Sequence, residues 1–158
     1  MLQSDRYHYT ECGLDNIYLL NGYEYVETPR GRGVQIQDME GLHLAIGRIL
    51  VREKRNLSGR EFRFLRHELN LTQQNLALLL SVDVQAVGRW EKGQSKNGIP
   101  GPAQGIIRLL YEEHTKGNKK IKEPLHKLAE LDEIMNEEED EEIDFIDTEE
   151  GWQPSLAA

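Results

Sequence analysis

The chain is nearly without cysteine. Of its 158 residues only Cys12 carries a thiol, so no internal disulfide can form and no four-thiolate zinc fold can be built. Long apolar runs are missing too. No stretch approaches the ~20 consecutive apolar residues of a membrane-spanning helix, and the opening MLQSDRYHYTEC lacks the apolar run of a secretory signal. These absences predict a cytoplasmic protein with no membrane association. The sequence also lacks a phosphate-cradling glycine loop, an HExxH, a GxSxG and any dense carboxylate pair outside its C-terminal end. No enzyme is expected, and no metal or cofactor. His8 and Cys12 have ligand chemistry at x3 spacing, and His43 adds a third candidate, but a zinc site needs about four ligands. A half-buried thiol and surface histidines account for all three.

Charge is present in excess, and its placement matters more than its sum. The formal net charge is -9, yet ten of the 28 acidic residues fall between Glu137 and Glu150, and the last 22 positions contain no Lys or Arg. Residues 1–136 therefore carry +1, and residues 48–122 hold 15 basic against 7 acidic side chains. The pattern is a mildly basic body with an acidic tail, which keeps nucleic acid open as a partner.

Local signals divide the chain into a small N-terminal β-hairpin and helix region at 1–55, a helical domain at 56–115, a linker and helix at 116–136, and an acidic flexible tail at 137–158. In the first, Asn21-Gly22 is a strong hairpin signal, predicting strands near 16–20 and 23–27. A glycine-rich loop from Pro29 to Gly33 follows, then a short alternating run from Val34 to Gln37 that can add a third strand. Asp38 is placed to cap a helix reaching about residue 53, although Gly41 and Gly47 weaken it.

Helix starts then become regular. Ser58 and Glu61 form a capping box, with Leu57 and Phe62 as a hydrophobic staple. Thr72 and Asp83 repeat the pattern, each preceded by an apolar residue and followed by another at the fourth helical position. The predicted helices run 59–69, 73–80 and 84–92, with Gly93 as a left-handed cap, and a fourth spans 103–114. Pro124 opens a further helix carrying Leu125, Leu128, Leu131, Ile134 and Met135.

Two short helices separated by about three residues, the first opening on Thr-Gln, form the helix-turn-helix pattern. Leu76, Ala77, Leu80, Val82, Val87 and Trp90 sit where the two would pack together. Val84, Gln85 and Arg89 then face outward, and their chemistry suits base edges: Arg for guanine, Gln for adenine, Val for a thymine methyl. At the TQxxLA run of Thr72 to Ala77 and the VxRWEKG run of Val87 to Gly93, the chain resembles the Xre/Cro-type, lambda-repressor-like helix-turn-helix family. The resemblance covers residues 58–114 and implies a compact five-helix domain that binds double-stranded DNA as a homodimer, in which the residue matching Gln73 anchors a phosphate or reads an outer base. Thr72, Lys92 and Lys96 are further candidates for phosphates. Gly88 departs from the Ser or Arg usual in that family. A β-containing region ahead of such a domain also resembles the MqsA-like (YgiT-type) antitoxins, without their two CxxC pairs, which implies a toxin as protein partner.

The expected fold class is thus mainly α, α+β overall: a lambda-repressor-like DNA-binding domain behind a small β-containing region, with an acidic disordered tail. The expected function is a sequence-specific transcriptional repressor reading a palindromic operator. Its alternatives are an antitoxin that autoregulates its operon, or a protein-interaction adaptor. Arg30 and Arg32 admit two readings, a plain loop between strands or a minor-groove hook. Lys116, Lys119, Lys120 and Lys122 are either a solvated linker or phosphate contacts. The tail is a solubilising spacer, a ligand for a basic partner, or a competitor for the basic surface, and Phe145, Ile146 and Trp152 favour an interaction role.

Overall fold

A computed structural model of the protein describes residues 5–117 and 142–155. The helix expected after Pro124, together with Lys119, Lys120, Lys122 and positions 137–141 of the tail, lies outside the described residues. What is described is an α+β mix. In chain order the elements are β1 (Tyr7–His8), β2 (Tyr18–Leu19), β3 (Tyr23–Thr28), β4 (Gly31–Ile36), α1 (Met39–Arg52), α2 (Gly59–Glu68), α3 (Gln73–Leu80), α4 (Val84–Glu91), α5 (Gly101–Thr115), β5 (Phe145–Thr148) and β6 (Gly151–Pro154). The strands form three separate antiparallel pairs, β1 with β2, β3 with β4 and β5 with β6.

The strand pairing corrects the expectation built on Asn21-Gly22. Gly22 takes φ 77°, but Asn21 does not enter the left-handed region, and a type I′ hairpin needs both central residues there. β2 pairs backwards, with Leu19 opposite Tyr7, and β3 pairs forwards with β4 along six residues. The turn that joins paired strands is Thr28-Pro29-Arg30-Gly31. Proline presets the first central residue, Thr28 Oγ1 donates to the Gly31 carbonyl at 2.6 Å, and Gly31 takes φ 118°, which a side chain would resist. The expected loop is therefore a two-residue turn, and Arg32 and Gly33 belong to β4.

The acidic tail needs a second correction. Residues 145–154 form a hairpin closed by the same device: Thr148 Oγ1 donates to the Gly151 carbonyl at 2.8 Å, and Gly151 takes φ 103°. Its two-residue turn is Glu149-Glu150.

The first four helices begin on their expected caps. Asp38 Oδ1 accepts from the Gly41 amide, Thr72 Oγ1 from Asn75 and Asp83 Oδ1 from Gln85. The Ser58 box is complete, with Ser58 Oγ accepting from the Glu61 amide and Glu61 Oε1 from the Ser58 amide. Only α5 starts earlier than expected, at Gly101, because Pro102 fits the first turn, where a missing N–H costs nothing.

Caps alone do not hold eight-residue helices, which are too short to persist in water. Burial does. Phe62, Leu65, Leu76, Val87 and Ile107 are fully buried, each contributing about 1.5–3 kcal/mol by area bookkeeping. The same core takes in Tyr9, Leu14 and Leu19 from the N-terminal region and Ile46, Leu50 and Val51 from α1, so the packing is continuous across residue 55. Arg108 secures the junction by donating to the carbonyls of Leu50, Val51 and Lys54, each at 2.8 Å. These are carbonyls that a helix end leaves without partners.

Gly47, which weakens α1 by propensity, has a packing reason. A Cβ built there would lie 2.0 Å from Tyr111 Oη, so glycine lets α5 press its tyrosine against α1. Gly47→Ala is expected to destabilise the fold by about 1–3 kcal/mol through overpacking. A lowered urea midpoint at unchanged slope is the measurement that checks it.

Candidate nucleic-acid interface

α3 and α4 are joined by residues 81–83. Ser81 turns the chain with φ 54°, the Val82 amide donates to the Ala77 carbonyl, and Asp83 caps α4. Leu76 and Ala77 on α3 and Val87 and Trp90 on α4 are buried, with Leu80 and Val82 half-buried between them. Trp90 meets Phe62 of α2 edge-on, ring centroids 6.0 Å apart. The opposite face of α4 is open: Gln85 and Arg89 are exposed and Val84 is 41% exposed. The structure thus places all three expected base-reading residues on one solvent-facing side.

Lys92 and Lys96 follow directly, both exposed, while Gly93 ends the helix with φ 68° and the Gln94 amide donates back to the Arg89 carbonyl. Among the described residues, Arg89, Lys92 and Lys96 form no salt bridge. Three cations therefore stand unpaired along one short segment, and this is the electrostatics that attracts phosphates.

The remaining expected residues are used differently. The Thr72 hydroxyl oxygen caps α3 and keeps its own proton to donate. Gln73 is half-buried and turned inward, its Nε2 donating to Glu91 Oε1 at 3.2 Å, so one amide hydrogen remains for a phosphate. Arg30 lies at the β3–β4 turn, and Arg32 stacks over the Tyr25 ring at 3.9 Å, away from α4 in the chain and on a separate sheet. Lys116 reaches Glu113 at 3.9 Å.

The sequence reading misses what holds α4 in place. Arg66 of α2 and Glu91 of α4 are both buried and form a two-pronged ion pair, Nε to Oε2 at 2.7 Å and Nη2 to Oε1 at 2.8 Å. Arg66 Nη1 also donates to the Leu71 carbonyl in the turn before α3. With Gln73 added, one carboxylate and one guanidinium fasten α2, the α2–α3 turn, α3 and α4. A signal was available: Arg66 interrupts the apolar stripe of Phe62, Leu65 and Leu69, and a charge on a buried stripe needs a partner.

A cleft of about 890 Å³ lies beside this region, bordered by Cys12, His43, Arg60, Arg63, His67 and Lys92 among others. His43 bridges Tyr9 Oη at 2.7 Å and Glu68 Oε1 at 2.8 Å. Burial pushes the Tyr9 hydroxyl up to about 12 and the Cys12 thiol above its ordinary range, so that thiol is not an activated nucleophile. His8 is engaged with the Asp15 carbonyl. Among the described residues no three His, Cys, Asp or Glu side chains are placed to share a metal ion, and no helix is long and apolar enough to cross a membrane. Comparison with protein-family models, curated proteins and solved structures finds no match to this chain.

Two substitutions separate the bolt from the surface it holds. Arg66→Met leaves the Glu91 carboxylate buried without its cation and is expected to cost about 3–5 kcal/mol, whereas adding Glu91→Leu restores most of that, since the desolvation of both charges is then removed. Chemical denaturation of the single and double variants measures this. On the open face, a Cβ at Gly88 meets only Gln73 Oε1, at 3.9 Å, so Gly88→Ala is expected to stabilise the protein by about 0.5–1 kcal/mol through helix propensity, read as a raised denaturation midpoint.

Proposed function

We propose that the chain is a sequence-specific double-stranded DNA-binding regulator of the lambda-repressor-like, helix-turn-helix kind, α3 and α4 being the helix-turn-helix pair; residues 58–114 hold four helices, α2 to α5, rather than the five expected there, and α1 ahead of them packs on the same core. The observation that carries this reading is the division of α4. One side is buried and fastened through Glu91, and the other presents Val84, Gln85 and Arg89 together, with Lys92 and Lys96 just beyond. A helix serving only to pack also exposes a polar side, but it has no need of the unpaired cations that run from Arg89 to Lys96.

The mechanism follows from the chemistry of those groups. α4 enters the major groove, where Arg89 donates two parallel bonds to guanine, Gln85 pairs with adenine and Val84 meets a thymine methyl. Thr72, the remaining Gln73 amide hydrogen, Lys92 and Lys96 hold phosphates and set the register. A homodimer would place two such helices about 34 Å apart on a palindromic site, and covering a promoter makes it a repressor. The short turn, held by half-buried Val82 and its amide bond to the Ala77 carbonyl, keeps the reading helix in place, so little backbone freedom is lost on binding.

Selection of bound duplexes from a random pool at about physiological salt, with wild type and Arg89→Ala in parallel, tests the reading, because nonspecific attraction is largely screened there. Wild type is expected to enrich a palindrome, and Arg89→Ala to lose about 1–3 kcal/mol of discrimination at one position in each half-site. Failure of wild type to enrich any sequence rejects the function; unchanged preference in the variant rejects Arg89 as a reader.

A further inference from the structure

The β5–β6 hairpin is the least accounted-for element of the described chain. Residues 142–155 carry Glu142, Asp144, Asp147, Glu149 and Glu150 and no Lys or Arg. The strand register puts Phe145 opposite Pro154 and Trp152 opposite Asp147, so Phe145, Trp152 and Pro154 share one face with Asp147, because cross-strand partners point the same way and alternate residues repeat it. That face is bare: Phe145 is 61% and Trp152 72% exposed, and the adjoining Ile143 is 70% exposed. A lone two-stranded hairpin is marginal in water. A largely apolar face that carries one carboxylate and has others at its edge calls for a cover that is apolar in part and cationic in part.

Charge narrows the choice of cover. A second copy of the hairpin brings five more carboxylates and is repelled. The other solvent-facing ribbon, β3–β4, sets Glu24 and Glu27 beside Arg30 and Arg32 and offers no net attraction. Residues 84–98 expose Arg89, Lys92 and Lys96, and the one carboxylate among them, Glu91, is buried against Arg66. Val84 supplies an exposed apolar side chain at the head of the same helix. Reach is not limiting: 24 residues separate the two described segments, whereas a body of this size has a radius of gyration near ~13 Å.

We propose that the C-terminal hairpin docks on the outward face of α4, its carboxylates on Arg89, Lys92 and Lys96 and its aromatic face over Val84, and that double-stranded DNA and the hairpin exclude each other there. The exclusion rests on the reading of that face as the DNA-contacting one; the docking does not. Tethering keeps the hairpin at high local concentration, so the protein's apparent affinity for any duplex is reduced by the fraction of molecules in which the face is covered.

Trp152 reports the docking directly. Its acrylamide quenching is obtained in the full-length protein by difference against Trp152→Phe, which leaves the buried Trp90 as background. In the absence of DNA, Trp152 is expected to be about twofold harder to quench at ~50 mM than at ~500 mM salt, since screening releases the hairpin. The protection should vanish in Asp144→Asn/Asp147→Asn/Glu149→Gln/Glu150→Gln, and equally in Arg89→Ser/Lys92→Ser/Lys96→Ser. Salt-independent quenching in the wild type, or protection that survives loss of the three cations, overturns the docking. Random-sequence duplex at low salt is expected to release Trp152 and to bind the carboxylate-neutralised protein about five- to tenfold more tightly than the wild type. A Trp152 that stays protected while duplex is bound overturns the exclusion. Because the first readout contains no DNA, failure of the docking and failure of the DNA-binding reading are told apart.

Discussion

Everything on the exposed side of α4 depends on a pair of charges that water does not reach. Arg66 and Glu91 are oriented by one another, by the Leu71 carbonyl and by Gln73. Two apolar residues of similar volume would hold α2 against α4 nearly as firmly, because removing both charges from water is expensive. What apolar packing does not supply is direction. The guanidinium has donors in a fixed plane and the carboxylate accepts along its own, so α4 is set in rotation as well as distance. Rotation decides which side chains face outward. A turn of one residue, about 100°, would bring Val87 or Trp90 to the surface in place of Arg89.

The helical half of the fold was legible in the sequence because its boundaries are set by local chemistry. Ser58, Thr72 and Asp83 each accept the hydrogen bond of an amide two or three residues on, and no distant contact is needed to find them. The outward residues were legible for a related reason: burial of Val87 and Trp90 leaves Val84, Gln85 and Arg89 no other side. The ion pair was harder to see, since its partners lie 25 residues apart and only the misplacement of Arg66 on an apolar stripe betrays it. Gly47 was misweighed for the opposite reason. Helix propensity counts a glycine's cost within its own helix, and the compensating close approach of Tyr111 comes from another.

The strands were less legible because a turn competes with other turns for the same strands. Asn21-Gly22 is the stronger dipeptide, yet Asn21 stays out of the left-handed region that such a turn requires, and Tyr23–Thr28 pairs forwards with β4 alone. The ladder actually formed has six residue pairs. The Thr-x-x-Gly turn that closes it recurs at the far end of the chain: Val26-Glu27-Thr28 with Gly31 matches Ile146-Asp147-Thr148 with Gly151, hydroxyl for hydroxyl and positive φ for positive φ. That likeness, visible in the sequence once the turn's chemistry is known, is what a reading of the tail by composition alone passes over. Ten carboxylates argue for a solvated chain, and four residues of turn chemistry outweigh them locally.

The two hairpins share a turn and differ in charge, Arg30 at one tip and Glu149-Glu150 at the other. The two arginines central to α4 differ in a similar way. Arg66 is paired before any partner arrives, and its interaction energy belongs to folding. Arg89 is unpaired, and whatever satisfies it comes from outside the helical body. A cation on a rigid element with no internal carboxylate breaks no existing pair when it meets an anion, although its long side chain gives up rotamer freedom in doing so. Such a site does not distinguish a phosphate from a carboxylate by charge. It does so by shape, through the spacing of Val84, Gln85 and Arg89, and by concentration. A hairpin of carboxylates docked there, as proposed, would weaken every duplex held by charge alone, and a duplex that also fits Val84, Gln85 and Arg89 would be the better able to displace it.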